Sequence, residues 1–458
     1  MDPLKGTLWK AADKLRGSLS ASQYKDVVLG LVFLQYAADG HWKSLADKAK
    51  SPDIGQLIDA AMGAVMAGDP ALSGTLPQRY HTLDQRRLGE LVELLADTRI
   101  TRRVDHPARD LMGEVYEYFL GNFARAEGRR GGEFFTPPSI VRLMVEVLEP
   151  TSGRVYDPCC GSGGMFVQTD KFLRCQDGDI RDVAIYGQES VEETWRMARI
   201  NLAIHGIDNT GIVRGDTFVA DLHDGLQMDY VMANPPFNIK DWSRDEHDPR
   251  WRYGVPPATN ANFAWIQHIL QKLAPGGQAG VVMTNGSMSS TAGGEGAIRA
   301  RIVDADLVSC LVALPTQLFR STGIPVCLWF FARDKGHRGG QVLFIDARSF
   351  GYLVDRAERA LTDEEIGRIG NTYHAWRTKH SEYQDIPGFC KSTTLDQIRA
   401  AGYVLTPGRY VDAPTPKSDA EPLDNKIARL TTELLTALDE SARLDDVVRK
   451  EVERLRWR

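Results

Sequence analysis

The chain has 458 residues, 43% hydrophobic and 25% charged, with a formal net charge of −6. It is long enough for two or three domains and at least one large core, and too acidic to hold nucleic acid by charge alone unless one face is locally basic or a partner supplies the grip. No apolar stretch approaches the ~20 residues of a membrane helix, and Met1 to Arg16 carries no signal-peptide pattern, so a cytoplasmic protein with no membrane partner is expected.

Residues 1 to about 125 read as helical. Leu8, Ala12, Leu15 and Leu19 fall at helical spacing, "SQYKDVVLGLVFLQYAAD" continues the pattern, and "DLMGEVYEYFLGNFA" ends near Ala124. A Gly/Arg-rich stretch at Arg129 to Gly132, a linker or flexible loop, follows. From about 136 to 347 short β-branched runs alternate with amphipathic segments. Strands are expected at Arg154–Tyr156, Ala184–Gly187, Gly211–Arg214, Tyr230–Ala233, Gly280–Thr284, Val308–Ala313, Leu328–Ala332 and Val342–Ile345. Helices are expected at Gly164–Cys175, Val191–His205, Asn262–Leu273 and Glu295–Ala305. This alternation predicts a doubly wound α/β domain with a mostly parallel sheet, whose ligand sits outside the carboxyl ends of the strands at the switch point. The last segment carries a heptad through Leu423, Ile427, Leu430, Leu434, Ala437, Ser441, Leu444, Val448, Glu451 and Leu455, apolar at all but Ser441 and Glu451, as in a coiled-coil seam, with packing on its own domain as the alternative. The expected division is 1–130 helical, 131–350 α/β, and 351–458 a C-terminal region ending in a coiled-coil-like helix for partner contact.

"VYDPCCGSGGM", from Val155, is a strand, a glycine turn and a helix start, which brings backbone N–H groups close to a ligand. It has neither G-x-G-x-x-G nor G-K-[ST], and Asp157 would repel a pyrophosphate but attract an ammonium or sulfonium. The second strand ends in Glu189, placed to accept the hydroxyls of a ribose, and the third in Asp216, placed to bond an exocyclic amine. Each acid alone is more often a helix cap or loop residue. Three at successive strand tips favour a nucleoside bearing a positive group, and S-adenosylmethionine fits. The six cysteines include no C-x-x-C pair and suggest neither a zinc site nor a disulfide framework; Cys159 and Cys160 read as buried structural residues.

In "YVMANPPFNIK" a buried strand ends in two prolines, which bar helix and further ladder pairing and hold Asn234 and Phe237 in rigid relation. Such a pair could grip something planar and polar. The following "DWSRDEHDPRWRYG" is rich in Trp and Arg; Trp251 and Tyr253 are its candidates for contact with DNA, with an ordinary ordered loop as the alternative. "SMSSTAGGEG", from Ser287, reads as a flexible loop.

"DPCCGSGG" followed by "NPPF" resembles the amino-methyltransferases that act on adenine N6, cytosine N4 or a glutamine amide, and "GEFFTPPSIVRLM" is similar to a further cofactor motif of theirs. "LWKAADKLRGSLSASQYKDVVLGLVFLQYAAD", "WRYGVPPATNANFAWIQH" and "LTPGRYV" resemble the modification subunit of type I restriction–modification systems, so the likeness spans nearly the whole chain. The resemblance implies an S-adenosylmethionine-dependent methyltransferase fold, with a mostly parallel, seven-stranded-type sheet, that methylates adenine N6 in DNA. It places the cofactor on Gly132, Glu133, Phe134, Phe135, Thr136 and Pro137, on Gly161, Ser162, Gly163 and Gly164, and on Asp157, Glu189 and Asp216. Asn234 and the Pro235 carbonyl would accept from the target amine, Pro236 would hold the turn, Phe237 would stack on the flipped adenine, and no metal is needed. Implied partners are double-stranded DNA, a separate specificity subunit with two copies of this chain, and a restriction subunit carrying nuclease and translocase functions. A protein glutamine methylase and a catalytically silent scaffold stand as alternatives; Phe rather than Tyr at 237 leans towards nucleic acid.

Overall fold

The computed structural model describes residues 21–37, 39–97, 108–127, 135–319, 324–412 and 423–455. Its main sheet has nine strands in the order β11-β8-β6-β7-β5-β4-β1-β2-β3. These are β1 Gly153–Asp157, β2 Val183–Glu189, β3 Ile212–Arg214, β4 Met228–Ala233, β5 Leu273–Thr284, β6 Val308–Ala313, β7 Val326–Ala332, β8 Gln341–Asp346 and β11 Cys390–Thr394. A separate hairpin pairs β9 Tyr352–Leu353 with β10 Arg359–Ala360. All eight strands expected from sequence are present, and the four expected helices form at Gly164–Cys175, Glu192–Ile204, Asn262–Lys272 and Glu295–Asp304.

Strand direction follows the doubly wound pattern. β1 pairs in parallel with β2 and β4, β2 with β3, and β4 with β5. β7 enters antiparallel between β5 and β6, and β8 then adds in parallel to β6. The order reverses between β1 and β4, so a crevice opens beyond Asp157 and Asn234, which lie on neighbouring strand ends.

Alternation along the strands fills two cores. Val155, Met232, Val282, Val312, Leu328 and Phe330 face one, with the helices Pro138–Leu148, Gly164–Cys175 and Asp363–Arg377. Tyr156, Val231, Ala233, Val281, Leu311, Trp329 and Phe331 face the other, with Asn262–Lys272 and Glu295–Asp304. Covered on both sides, β6 and β7 are buried at every position, which is why they read as unbroken apolar runs.

The amino-terminal helices Ala21–Ala37, Asp39–Asp47, Ile54–Gly68, Gln85–Asp97 and Ala108–Glu127 enclose a third core. That core takes in Met197, Ile200 and Ile204 from the helix behind β2, and Lys171 Nζ donates to Glu117 Oε2 at 2.8 Å across the same junction. The helical layer expected at 1–130 therefore shares its interior with the sheet domain.

Residues 351–412, expected in the C-terminal region, also join the sheet. β11 pairs antiparallel with β8, and the helix Asp363–Arg377 packs on Pro138–Leu148. Thr362 and Glu365 close that helix start with a reciprocal capping box. The described residues up to Asp412 form one compact unit, and Leu423–Leu455 is a second, a single helix of 33 residues. Along that helix Ile427, Leu430, Leu434, Leu444 and Val448 of the heptad are exposed. All six cysteines are free thiols, Cys160 buried and Cys159 half-buried, and no described helix is long and apolar enough to cross a membrane.

Candidate active site

Three strand tips converge on the crevice. Beyond β1, Gly161 and Gly163 take left-handed φ values of 54° and 79°, which turns the chain into the helix Gly164–Cys175. The turn is tied on several sides. Cys160 N–H donates to the Gln188 carbonyl at 3.0 Å, Gly163 N–H to the Cys160 carbonyl at 2.9 Å, and Asn201 Nδ2 to the Ser162 carbonyl at 2.9 Å. Cys160 fits against Gly187 of β2, where an added Cβ would stand 3.1 Å from its sulfur, so the Cys pair is structural packing. At Gly164 a Cβ would meet no atom within 4 Å, which leaves room at the helix start.

The acids are buried beside this turn. Glu189 Oε2 accepts from Gly161 N–H at 3.1 Å and Oε1 from Val191 N–H at 2.8 Å. Burial raises its pKa, partly offset by these bonds. Asp157 Oδ1 accepts from Cys159 N–H at 2.9 Å. Burial pushes the Asp157 carboxyl up to about 7, and Glu189 adds to the shift. Two neighbouring buried acids, one half-protonated near neutrality, suit an incoming cation. Asp216, at the tip of β3, is exposed and folds its own loop, its Oδ1 accepting from Phe218 N–H at 2.8 Å.

Asn234 follows β4. Its Nδ2 donates to Thr136 Oγ1 at 3.0 Å, while its Oδ1 is buried with no hydrogen-bond partner. The structure thus joins two separately expected motifs, and the amide is held by its donor end with its acceptor end buried and unpaired. Pro137 is buried and caps the helix Pro138–Leu148, its carbonyl accepting from Ile140 N–H at 3.0 Å. Phe135 packs against the amino-terminal helical core; Gly132, Glu133 and Phe134 lie outside the described residues. Pro235 is buried, whereas Pro236 and Phe237 are half-buried, the Phe237 ring lying edge-on to Phe319 at 5.8 Å.

Sequence reasoning missed the residues that hold this turn. Asn238 has a left-handed φ of 54°. Its N–H donates to Asn262 Oδ1 at 3.1 Å, and its Oδ1 accepts from Asn262 Nδ2 at 2.9 Å. The buried Asn262 thus clamps the residue after Asn-Pro-Pro-Phe from 24 positions away. An asparagine directly after the motif, a residue that tolerates left-handed backbone, was the available signal. Gln188 was missed as well: its Nε2 donates to the Ala220 carbonyl at 2.7 Å and its Oε1 accepts from Leu222 N–H at 3.1 Å, fastening the loop after β3.

Trp251, expected to face DNA, is instead buried, with 7% of its surface exposed. Its Nε1 donates to the Asp245 carbonyl at 2.6 Å, and its ring packs with Phe218, Trp242 and the Arg250 guanidinium. Arg250 in turn donates to the Thr217 and Phe218 carbonyls at 2.7 and 3.0 Å and pairs with Asp248, so the Trp/Arg-rich stretch folds inward as a brace for the loop after β3. Tyr253 is half-buried, held by its N–H to Gln267 Oε1 at 2.8 Å.

Strand order, glycine turn and acid-tipped crevice together define the S-adenosylmethionine-dependent methyltransferase fold. Residues 107–419 match the N-6 DNA Methylase family and residues 4–41 the HsdM N-terminal domain. The chain is 47% identical over 412 residues to the type I restriction enzyme HindI methylase subunit of Haemophilus influenzae, covering 88% of this chain and 92% of that protein. It is 35% identical over 506 residues to the MjaIX methylase subunit of Methanocaldococcus jannaschii, covering 97% and 90%. A type I restriction-modification methyltransferase subunit from Streptococcus thermophilus shares the fold, with a TM-score of 0.70 at 23% identity over 89% of this chain and 99% of that one. The chain belongs to the N-6 DNA methylase family, among the type I restriction-enzyme methylase subunits.

The Asn238–Asn262 clamp predicts that Asn262→Ala lowers the methyl-transfer rate by about tenfold or more through misplacement of the turn, with cofactor affinity unchanged by titration calorimetry. An unchanged transfer rate would show that the prolines alone suffice.

Proposed function

We infer that this chain transfers a methyl group from S-adenosylmethionine to the N6 amine of adenine in DNA, as the modification subunit of a type I restriction–modification complex. The observation that carries the reading is the Asn234 amide, whose donor end is held by Thr136 and whose buried acceptor is unpaired.

The crevice suits the cofactor. Bound there, S-adenosylmethionine would supply an electrophilic methyl on a sulfonium centre. Glu189 would accept from the ribose hydroxyls and Asp157 would face the cationic methionine end. The Gly161–Gly164 turn offers close backbone approach, and Thr136 and Pro137 form the wall toward Asn234. Asp216, exposed beyond β3, would reach the exocyclic amine.

Asn234 Oδ1 and the Pro235 carbonyl accept the two N6 hydrogens and point the nitrogen lone pair at the methyl. As the nitrogen gains positive charge, both acceptors stabilise it without reorganising, because the prolines and the Thr136 bond have already fixed them. Phe237 stacks on the extruded purine, its ring set by Phe319. The S–CH3 bond would break as the N–CH3 bond forms, releasing the cofactor as its neutral thioether, and the proton would leave the methylated nitrogen to water, so no buried base is required.

Sequence choice belongs to a specificity subunit, which supplies most of the DNA grip to a chain of net charge −6. Two copies of this chain serve each such subunit, and a restriction subunit completes the complex. The exposed apolar seam of Leu423–Leu455 is the dock for the specificity subunit's helices.

A base-resolution methylome of the host strain tests the central reading: Asn234→Ala abolishes N6-methyladenine at one two-part motif, and identical methylomes in mutant and wild type would exclude DNA adenine as the substrate. Cofactor affinity should also depend on pH. The folded pKa of Asp157 is raised, so binding a cation draws off its proton; affinity falls by up to about tenfold per unit below pH ~7, flattens above it, and loses the slope in Asp157→Asn. A flat wild-type profile would mean that Asp157 does not face the cation. Leu430→Glu with Leu434→Glu should abolish co-purification with the specificity subunit while cofactor binding persists; retention of the subunit would rule out the seam as its dock.

A further inference from the structure

The side of the sheet on which Asn234 stands, beyond the carboxyl ends of the parallel strands, is also the side of the β9–β10 hairpin, which follows β8 four strand positions from β4. β8 runs parallel to β6, and β6 to β5 through the shared antiparallel β7, so the chain leaves β8 on the same side as the tips of β1 and β4. The hairpin's first arm is Tyr352, Leu353 and Val354, exposed by 53%, 56% and 48%. Among the described residues up to Asp412 this is the one run of three consecutive large apolar side chains left in solvent. Arg356 beside them is exposed too.

A two-residue ladder has little stability of its own, yet the base of this one is firmly tied. Arg359 N–H donates to the Gln317 carbonyl at 2.8 Å, and the Arg359 guanidinium to the Phe350 and Gly351 carbonyls at 3.2 and 2.7 Å. Gly351 N–H donates to Glu365 Oε1 at 2.7 Å, and the Phe350 ring stacks on Phe389 at 5.6 Å. The anchor is linked to the Asn-Pro-Pro-Phe turn. Gln317, in left-handed backbone with φ 65°, stands two residues before Phe319, whose ring meets the ring of Phe237.

We propose that the hairpin Tyr352–Ala360 is a DNA wedge, whose apolar tip presses against the base stack at the step the adenine leaves while Arg356 meets the neighbouring phosphate. The inference rests on the DNA reading above. Extrusion breaks stacking and pairing, and an apolar group at the vacated step replaces part of the lost contact, as the side chains of duplex-kinking proteins do. A protein occupant fits less well. Stable protein interfaces bury about 800 Å² per partner over some 20–30 residues, whereas this tip is three side chains wide.

The test uses the complex of this chain with its specificity subunit, comparing wild type with a Leu353→Ser/Val354→Ser double variant. Single-turnover methylation is measured on two duplexes, the target adenine facing thymine in one and an abasic site in the other. The variant should be about tenfold or more slower on the paired duplex yet within about threefold of wild type on the abasic one, where extrusion costs least. 2-Aminopurine at the target should show a matching loss of extrusion. Cofactor binding and assembly with the specificity subunit should be unchanged. Equal rates for variant and wild type on the paired duplex, or equal slowing on both duplexes, would overturn the wedge. Loss of the specificity subunit would make the hairpin a protein contact instead. A wild-type complex inert on both duplexes would refute the underlying DNA reading, visibly and separately, and the wedge with it.

Discussion

The hydrogen bond from Asn234 Nδ2 to Thr136 Oγ1 organises the site. An amide has two ends of similar shape and opposite hydrogen-bonding sense, and a strand-end asparagine can present either. Here the donor end meets the Thr136 hydroxyl, which leaves the oxygen buried and unpaired beside it. That acceptor costs stability while nothing fills it, and the rest of the local structure makes its position persist. Two prolines restrict the backbone on one side, the Asn238–Asn262 pair restricts it on the other, and the helix that begins at Pro138 fixes Thr136.

Beneath the site the loops rest on a buried polar layer rather than on apolar packing alone. Tyr156 Oη and His268 Nε2 lie 3.2 Å apart, Arg250 reaches His268 at 3.4 Å, and Lys272 Nζ donates to Asp221 Oδ2 at 2.8 Å. Burial lowers the His268 pKa and holds the ring neutral, so it can accept from one neighbour while donating to another. Bonds of this kind have direction, which apolar contacts lack, and they specify one arrangement of the loops after β3 and β4.

Much of this was legible in the sequence because it was periodic or chemically local. The eight strands, the glycine turn, the acids at β1 to β3 and the Asn-Pro-Pro-Phe tip all depend on short windows. What stayed hidden depended on partners far along the chain. β11 is "CKSTT", polar at every position after Cys390, and becomes a strand because β8 offers an open edge. Trp251 looked like a surface aromatic beside arginines, but Arg250 spends its hydrogen bonds inward on the loop after β3 and draws the indole in with it. Asn262 reads as an ordinary helix start until its bond to Asn238 is seen.

The core shared between the amino-terminal helices and Met197, Ile200 and Ile204 constrains how such subunits can be recombined. A graft cut near residue 130 would carry the helical layer away from part of its interior and leave three apolar side chains of the sheet domain in water. A chimera that exchanges the helical layer must bring the matching face of Glu192–Ile204 with it.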